Sequence, residues 1–120
     1  MTLRKATICQ QSVTENEVRL SLLIDPELTD FKGHFTGFPI LPGVTQLDWA
    51  IFYGQQFLNC PERFKGMEVI KFQEAILPNN RVELTLTWDA EKGKLTFSYI
   101  SYCDAVVIKH SSGRIKLGAI

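Results

Sequence analysis

Residues 17–24, EVRLSLLI, set Val18, Leu20, Leu22 and Ile24 against Arg19, Ser21 and Leu23. That two-residue period predicts a half-buried strand. The same alternation runs through Val82, Leu84, Leu86 and Trp88 in residues 81–90, and through Leu95, Phe97, Tyr99 and Ser101 in residues 94–103. Residues 5–12 (KATICQQS) and 105–117 (AVVIKHSSGRIKL) read as further strands, and residues 67–77 (MEVIKFQEAIL) contain strand-like stretches. Short turns separate them: Asn16 in VTEN, PNN at 78–80 and EKG at 91–93. Connections this short favour antiparallel pairing over βαβ crossovers. Gly113, inside the last strand, marks a bulge or a close backbone approach.

Residues 44–60, VTQLDWAIFYGQQFLNC, break this rhythm. They lack proline and are long enough for about four helical turns. Pro42 and Gly43 stand at the start, and Asn59 and Pro61 mark the end. Val44, Leu47, Ala50, Ile51, Phe52, Phe57 and Leu58 cover more than one face. A helix apolar on most sides is expected to be buried on most sides. The pattern therefore predicts an α+β fold, a curved antiparallel β-sheet wrapped around one long central helix. Its 120 residues predict one domain, 1–120, without internal repeats.

Composition narrows the function. Thirteen basic and thirteen acidic residues cancel, so nothing suggests a nucleic-acid binder. No apolar run reaches membrane-helix length, and the opening MTLRKATICQQ lacks the apolar core of a signal peptide. Cys9, Cys60 and Cys103 form no CxxC and no pair. They read as reduced thiols in a cytoplasmic protein. The histidines lie far from any Cys or Glu cluster, so no metal site is expected.

Residues 25–43, DPELTDFKGHFTGFPILPG, make a long connection with three prolines and three glycines. Ordered loops of that length in small domains are often functional. His34 lies in it, and Asp48 follows 14 positions later in the helix. A histidine and a carboxyl group in apolar surroundings can act as general base and general acid. The plainer alternative is that His34 is loop surface. Asp48, about one turn in, would then only favour the positive helix end. Gly43 adds an unobstructed amide at a helix N-terminus, able to donate to a developing oxyanion, although Pro-Gly is also ordinary turn chemistry. His110 beside Ser111 and Ser112 is read as structural, because neighbours on a strand point to opposite faces.

The stretch GHFTGFPILPGVTQLDWA closely resembles the signature of the hot-dog-fold 3-hydroxyacyl-[acyl carrier protein] dehydratases of the FabA/FabZ type. His34, Phe35, Gly37, Pro39, Pro42, Gly43, Val44 and Asp48 fall on its positions without a gap. KFQEAILPNNRVELTL (71–86) also looks like the family's strand–turn–strand stretch, so the resemblance covers about residues 15–117. It implies a hot-dog fold and dehydration of 3-hydroxyacyl-carrier-protein thioesters in fatty acid or aryl polyene biosynthesis. His34 matches the family's catalytic histidine, Asp48 its carboxylate, and Gly43 the amide that binds the thioester carbonyl. It further implies a homodimer with two shared sites, a heterodimer with a related dehydratase being the variant. The substrate rides on the phosphopantetheine arm of an acyl carrier protein, and no other cofactor is implied.

Thr36 departs from the family's usual Pro. Asp rather than Glu at 48 is the choice of dehydratases that also isomerise, yet it does not by itself imply isomerisation. The short N-terminus resembles that of the aryl polyene (ApeI-like) subgroup.

Phe31, Phe38, Trp49, Phe52 and Tyr53 are candidates to line an acyl tunnel, although any one of them taken singly fits an ordinary core aromatic better. Trp49, Ile51 and Phe52 are also candidates for the apolar surroundings in which a carboxyl group keeps its proton near neutral pH. Lys32, Arg63, Lys65, Arg114 and Lys116 could meet an acidic carrier, although each taken singly reads better as solvated surface. Two other functions stay open on the residues: a hot-dog acyl thioesterase, and a non-catalytic acyl-binding partner subunit. The second would be expected to have lost His34 or Asp48.

Overall fold

The alternating stretches become strands wherever one face can be buried. The computed structural model describes residues 5–26, 28 and 40–118. In chain order the elements are β1 (Thr7–Val13), β2 (Glu17–Leu23), α1 (Gly43–Leu58), β3 (Arg63–Phe72), β4 (Arg81–Asp89), β5 (Lys94–Cys103) and β6 (Val106–Gly118). The strands form one six-stranded sheet in the order β1-β2-β4-β5-β6-β3, and every neighbouring pair is antiparallel. This is the α+β hot-dog arrangement that the sequence predicts.

The alternation selects the core face. Val18, Leu20, Leu22, Val82, Leu84, Leu86, Leu95, Phe97, Tyr99, Ile115 and Leu117 are buried on one side of the sheet. From the helix, Trp49, Ala50, Tyr53 and Leu58 are buried and belong to the same core cluster. The helix ends where Asn59 adopts the left-handed conformation (φ 54°) and its N–H turns back to the Gly54 carbonyl, a common way to close a helix. Asn79 does similar work in the PNN turn at φ 69°, where Asn80 Oδ1 accepts the Leu77 N–H at 2.9 Å.

Two expectations change. The helix is not covered on most sides. Thr45, Gln46, Trp49, Ala50, Tyr53, Gly54 and Leu58 face inward, whereas Val44, Asp48, Phe52 and Gln56 form an exposed row at every fourth residue. One sheet has one concave face, so among the described residues the sheet covers one side of the helix.

The third strand also starts and stops earlier than residues 67–77, at Arg63 and Phe72. Beyond it, the Gln73 and Glu74 N–H groups still bond the His110 and Lys109 carbonyls, at 2.8 and 3.2 Å.

β3 lies at the sheet edge and contains a bulge. Glu68 pairs with Arg114 and Lys71 with Ser112, so Val69 and Ile70 together oppose Gly113. Val69 takes φ 55°, a costly conformation for a β-branched residue. The extra residue reverses the strand's facing. Glu68 points outward to Lys94, Arg114 and Lys116, with Lys94 Nζ 2.7 Å from its Oε1. Ile70 packs against the core instead. A side chain on Gly113 would collide with Ile70 and Phe97, which accounts for the glycine.

Candidate active site

The helix N-terminus is the centre of the candidate site. Pro42 precedes Gly43 with φ −59° and ψ 147° and provides no side-chain cap. The first N–H groups of a helix have no intrahelical acceptor and carry its positive end. Gly43 thus presents an amide without a Cβ beside it.

The ring of Phe72 occupies the adjacent space. A Cβ on Gly43 would lie 2.7 Å from Phe72 Cζ and 2.9 Å from Cε1. Phe72 reaches this spot because the β3 bulge turns it to the concave side, opposite Ser111. Sequence reasoning missed Phe72. The available signal was the phase slip in MEVIKF, where Val69 and Ile70 are apolar in succession.

Asp48 is the sixth residue of α1, and the first turn contains no acidic residue. The dipole effect is confined to that first turn, so helix-end stabilisation is a weak reason for a carboxylate here. Asp48 lies instead on the exposed row, between Val44 (75% exposed) and Phe52 (41% exposed). Asp48 thus has an exposed apolar residue one turn to either side of it.

Of the aromatic candidates, Phe52 shares the face of Asp48. Trp49 and Tyr53 are 1% and 2% exposed on the sheet side. Burial pushes the Tyr53 hydroxyl up to about 12. Tyr99, entirely buried, is also raised, first by burial and then by the charges of Tyr53 and Asp48. His34, Phe31 and Phe38 lie outside the described residues.

His110 has a structural environment. The Glu74 carbonyl can only accept, so His110 Nδ1 carries the proton in their 3.0 Å bond. In the neutral ring Nε2 is then the acceptor for Ser101 Oγ at 2.7 Å. Ser111 bonds elsewhere, to Gln46 Oε1 at 2.6 Å. His110 and Ser111 thus bond to different partners and not to each other.

A concavity of about 730 Å³ lies on the outer sheet face by Arg19, Arg81, Glu83 and Tyr102, and its lining includes neither Gly43 nor Asp48. Among the described residues no group of three His, Cys, Asp or Glu side chains converges as metal ligands would. No described helix is long and apolar enough to cross a membrane.

Known proteins bear directly on this geometry. The sequence model of the ApeI-like family, ApeI dehydratase, matches residues 10–114. An uncharacterized protein of known structure from Erwinia carotovora subsp. atroseptica is 42% identical, with 100% of this chain and 98% of that one covered and a TM-score of 0.83. A chain of the dehydratase heterocomplex ApeI:P from Xenorhabdus doucetiae is 36% identical, with coverage of 93% and 96% and a TM-score of 0.83. The 3-hydroxyacyl-[acyl-carrier-protein] dehydratase FabZ of Syntrophomonas wolfei is 28% identical over 72 residues, 54% of this chain and 50% of that protein. The chain thus spans about half the length of the curated relatives it matches.

Proposed function

The chain belongs to the ApeI-like dehydratase family, and from that premise we propose that it dehydrates 3-hydroxyacyl thioesters held on an acyl carrier protein, giving trans-2-enoyl thioesters. The observation that carries this reading is the helix itself. Its first amide, Gly43, is uncapped, and Asp48 stands further along between two exposed apolar residues.

Neutral His34 takes the α-proton. The electron pair moves toward the thioester carbonyl, whose oxygen gains negative charge beside the Gly43 N–H. One such donor contributes about 3–4 kcal/mol in enzymes where it has been removed. The pair then returns to form the double bond as the β-hydroxyl departs, and Asp48 gives it a proton, releasing water. His34 returns its proton and Asp48 regains one, so the cycle closes without a cofactor. The acyl chain and a second subunit would cover Val44 and Phe52 and remove water from Asp48, the surroundings in which a carboxyl group can hold a proton to give.

The second subunit is part of the proposal. Phe64, Met67, Val69 and Phe72 are each about half exposed along β3. An uncovered apolar edge strand is a natural site for pairing. A second copy, or a related dehydratase, would bring its His34 to this chain's Asp48. Phe31, Phe38 and Phe52 would then line the acyl tunnel, with Trp49 and Tyr53 behind. Lys32, Arg63, Lys65, Arg114 and Lys116 would offer positive charge to the acidic carrier. The three free cysteines fit a reducing cytoplasm.

The test is incubation with 3-hydroxyacyl-carrier proteins of several chain lengths, followed by mass spectrometry. Loss of one water is expected, and its dependence on length gives the preference. His34→Ala and Asp48→Asn should each lower the rate about 100-fold or more. Thiol release without enoyl absorbance would replace this reading with thioester hydrolysis. Near wild-type turnover in His34→Ala would remove that residue from the mechanism.

A further inference from the structure

The helix start has an unusual support. Most helices fix their first turn with a Ser, Thr, Asp or Asn cap that bonds an end N–H. Such a cap occupies the donors that a bound carbonyl needs, and Pro42 provides none. Glycine is also the residue least able to hold its own backbone direction. Something else must aim the Gly43 amide.

Gln46 is placed to do so. Its side chain is buried, 4% exposed, on the inward face of α1. Nε2 donates to the Leu41 carbonyl at 3.1 Å. Oε1 accepts from Ser111 Oγ on β6 at 2.6 Å. The Gln46 backbone carbonyl accepts the Tyr99 hydroxyl at 2.7 Å. The Leu41 N–H in turn donates to the Ile76 carbonyl at 2.8 Å. Leu41, two residues before Gly43, is therefore held at both its N–H and its C=O. An apolar side chain would fill this interior position without desolvating an amide, so a purely packing role leaves the glutamine unexplained.

We propose that Gln46 is a positioning residue for the carbonyl-binding amide: by tying the Leu41 carbonyl to Ser111 on the sheet, it sets the direction of the Gly43 N–H. The turn is fixed from the inside, and the end donors stay available to substrate. The inference rests on the reading of Gly43 given above.

Three variants test it: Gln46→Met, Ser111→Ala and the double change, each measured for kcat, KM and Tm on a 3-hydroxyacyl-carrier substrate. Misdirecting a transition-state donor lowers kcat and leaves KM in place. Gln46→Met should lower kcat about 10- to 100-fold, with KM within about twofold. Ser111→Ala keeps the Leu41 bond and should lose less. Removing both partners of a buried hydrogen bond is gentler on stability than removing one. The double variant should therefore regain Tm relative to Gln46→Met without regaining kcat.

If kcat rises and falls with Tm across the three, Gln46 is structural and the inference fails. It also fails if Gln46→Met keeps wild-type kcat while the wild type turns over. A wild type that forms no enoyl product overturns the dehydration reading, and this inference with it.

Discussion

Gly43 and Asp48 stand on one helix, and different neighbours constrain them. At position 43 the limit is the Phe72 ring, 2.7 Å from where a methyl carbon would sit. That contact is with the far end of a half-exposed side chain, which can move aside. Alanine is also the better helix residue, by about 1 kcal/mol at most. Gly43→Ala keeps the backbone N–H and is therefore expected to shift Tm by no more than a few degrees, while its methyl group crowds the space beside the amide and lowers kcat about 10- to 100-fold by misplacing the bound carbonyl. Thermal melts beside steady-state rates check the separation. At position 48 no hydrogen bond or ion pair engages the carboxylate among the described residues, and Val44 and Phe52, one turn either side of it, are apolar. Asp48→Asn should accordingly leave Tm near wild type while turnover falls.

Among the elements, β2, β4 and β5 were legible in the sequence because each buries a single face, whereas α1 was legible in its extent but not in its facing, because Val44 and Phe52 are apolar and exposed. For a strand with one face in the core, periodicity and position coincide. β3 was harder to read. It is an edge strand with an irregular register, and its alternation reverses at Val69–Ile70. A period search sees only the apolar residues there, without the change of facing that brings Phe72 to Gly43. The Gln46–Ser111 contact spans 65 positions, and nothing local marks it. The Ser101–His110 pair was equally hidden, because the strand neighbours of His110 suggested Ser111 and Ser112. That pair is structural, which gives a clear expectation. Ser101→Ala leaves a buried ring nitrogen without its donor and should lower stability by about 1 kcal/mol. Enoyl formation should be unchanged. A loss of activity larger than the loss of stability would place the pair in the chemistry.

At the scale of the whole molecule, buried acids set the response to alkali. Burial raises Tyr53 from 10.0 to about 12 and Cys60 from 9.0 to about 11. Below those ordinary values both groups are neutral in the folded and unfolded chain, and their contribution is fully present. As pH rises, the unfolded chain ionises first, so stability is lost through the folded values. Melting temperature should fall from about pH 9 to 12, and Tyr53→Phe should flatten the part above pH 10. Self-association belongs to this scale too. Met67→Asp places a charge on the half-exposed β3 face. It should shift sedimentation toward the single chain and reduce turnover at low protein concentration, with the helix content retained. The bulge in that same strand works as a buffer of length. Because Val69 and Ile70 share one partner, Glu68 and Phe72 keep their own partners, Arg114 and Ser111, on either side of it. Deleting Val69 would leave Ile70 alone opposite Gly113, a regular alternation in which Phe72 still faces inward beside Gly43. One residue of length can thus be lost here without a change of facing beyond it.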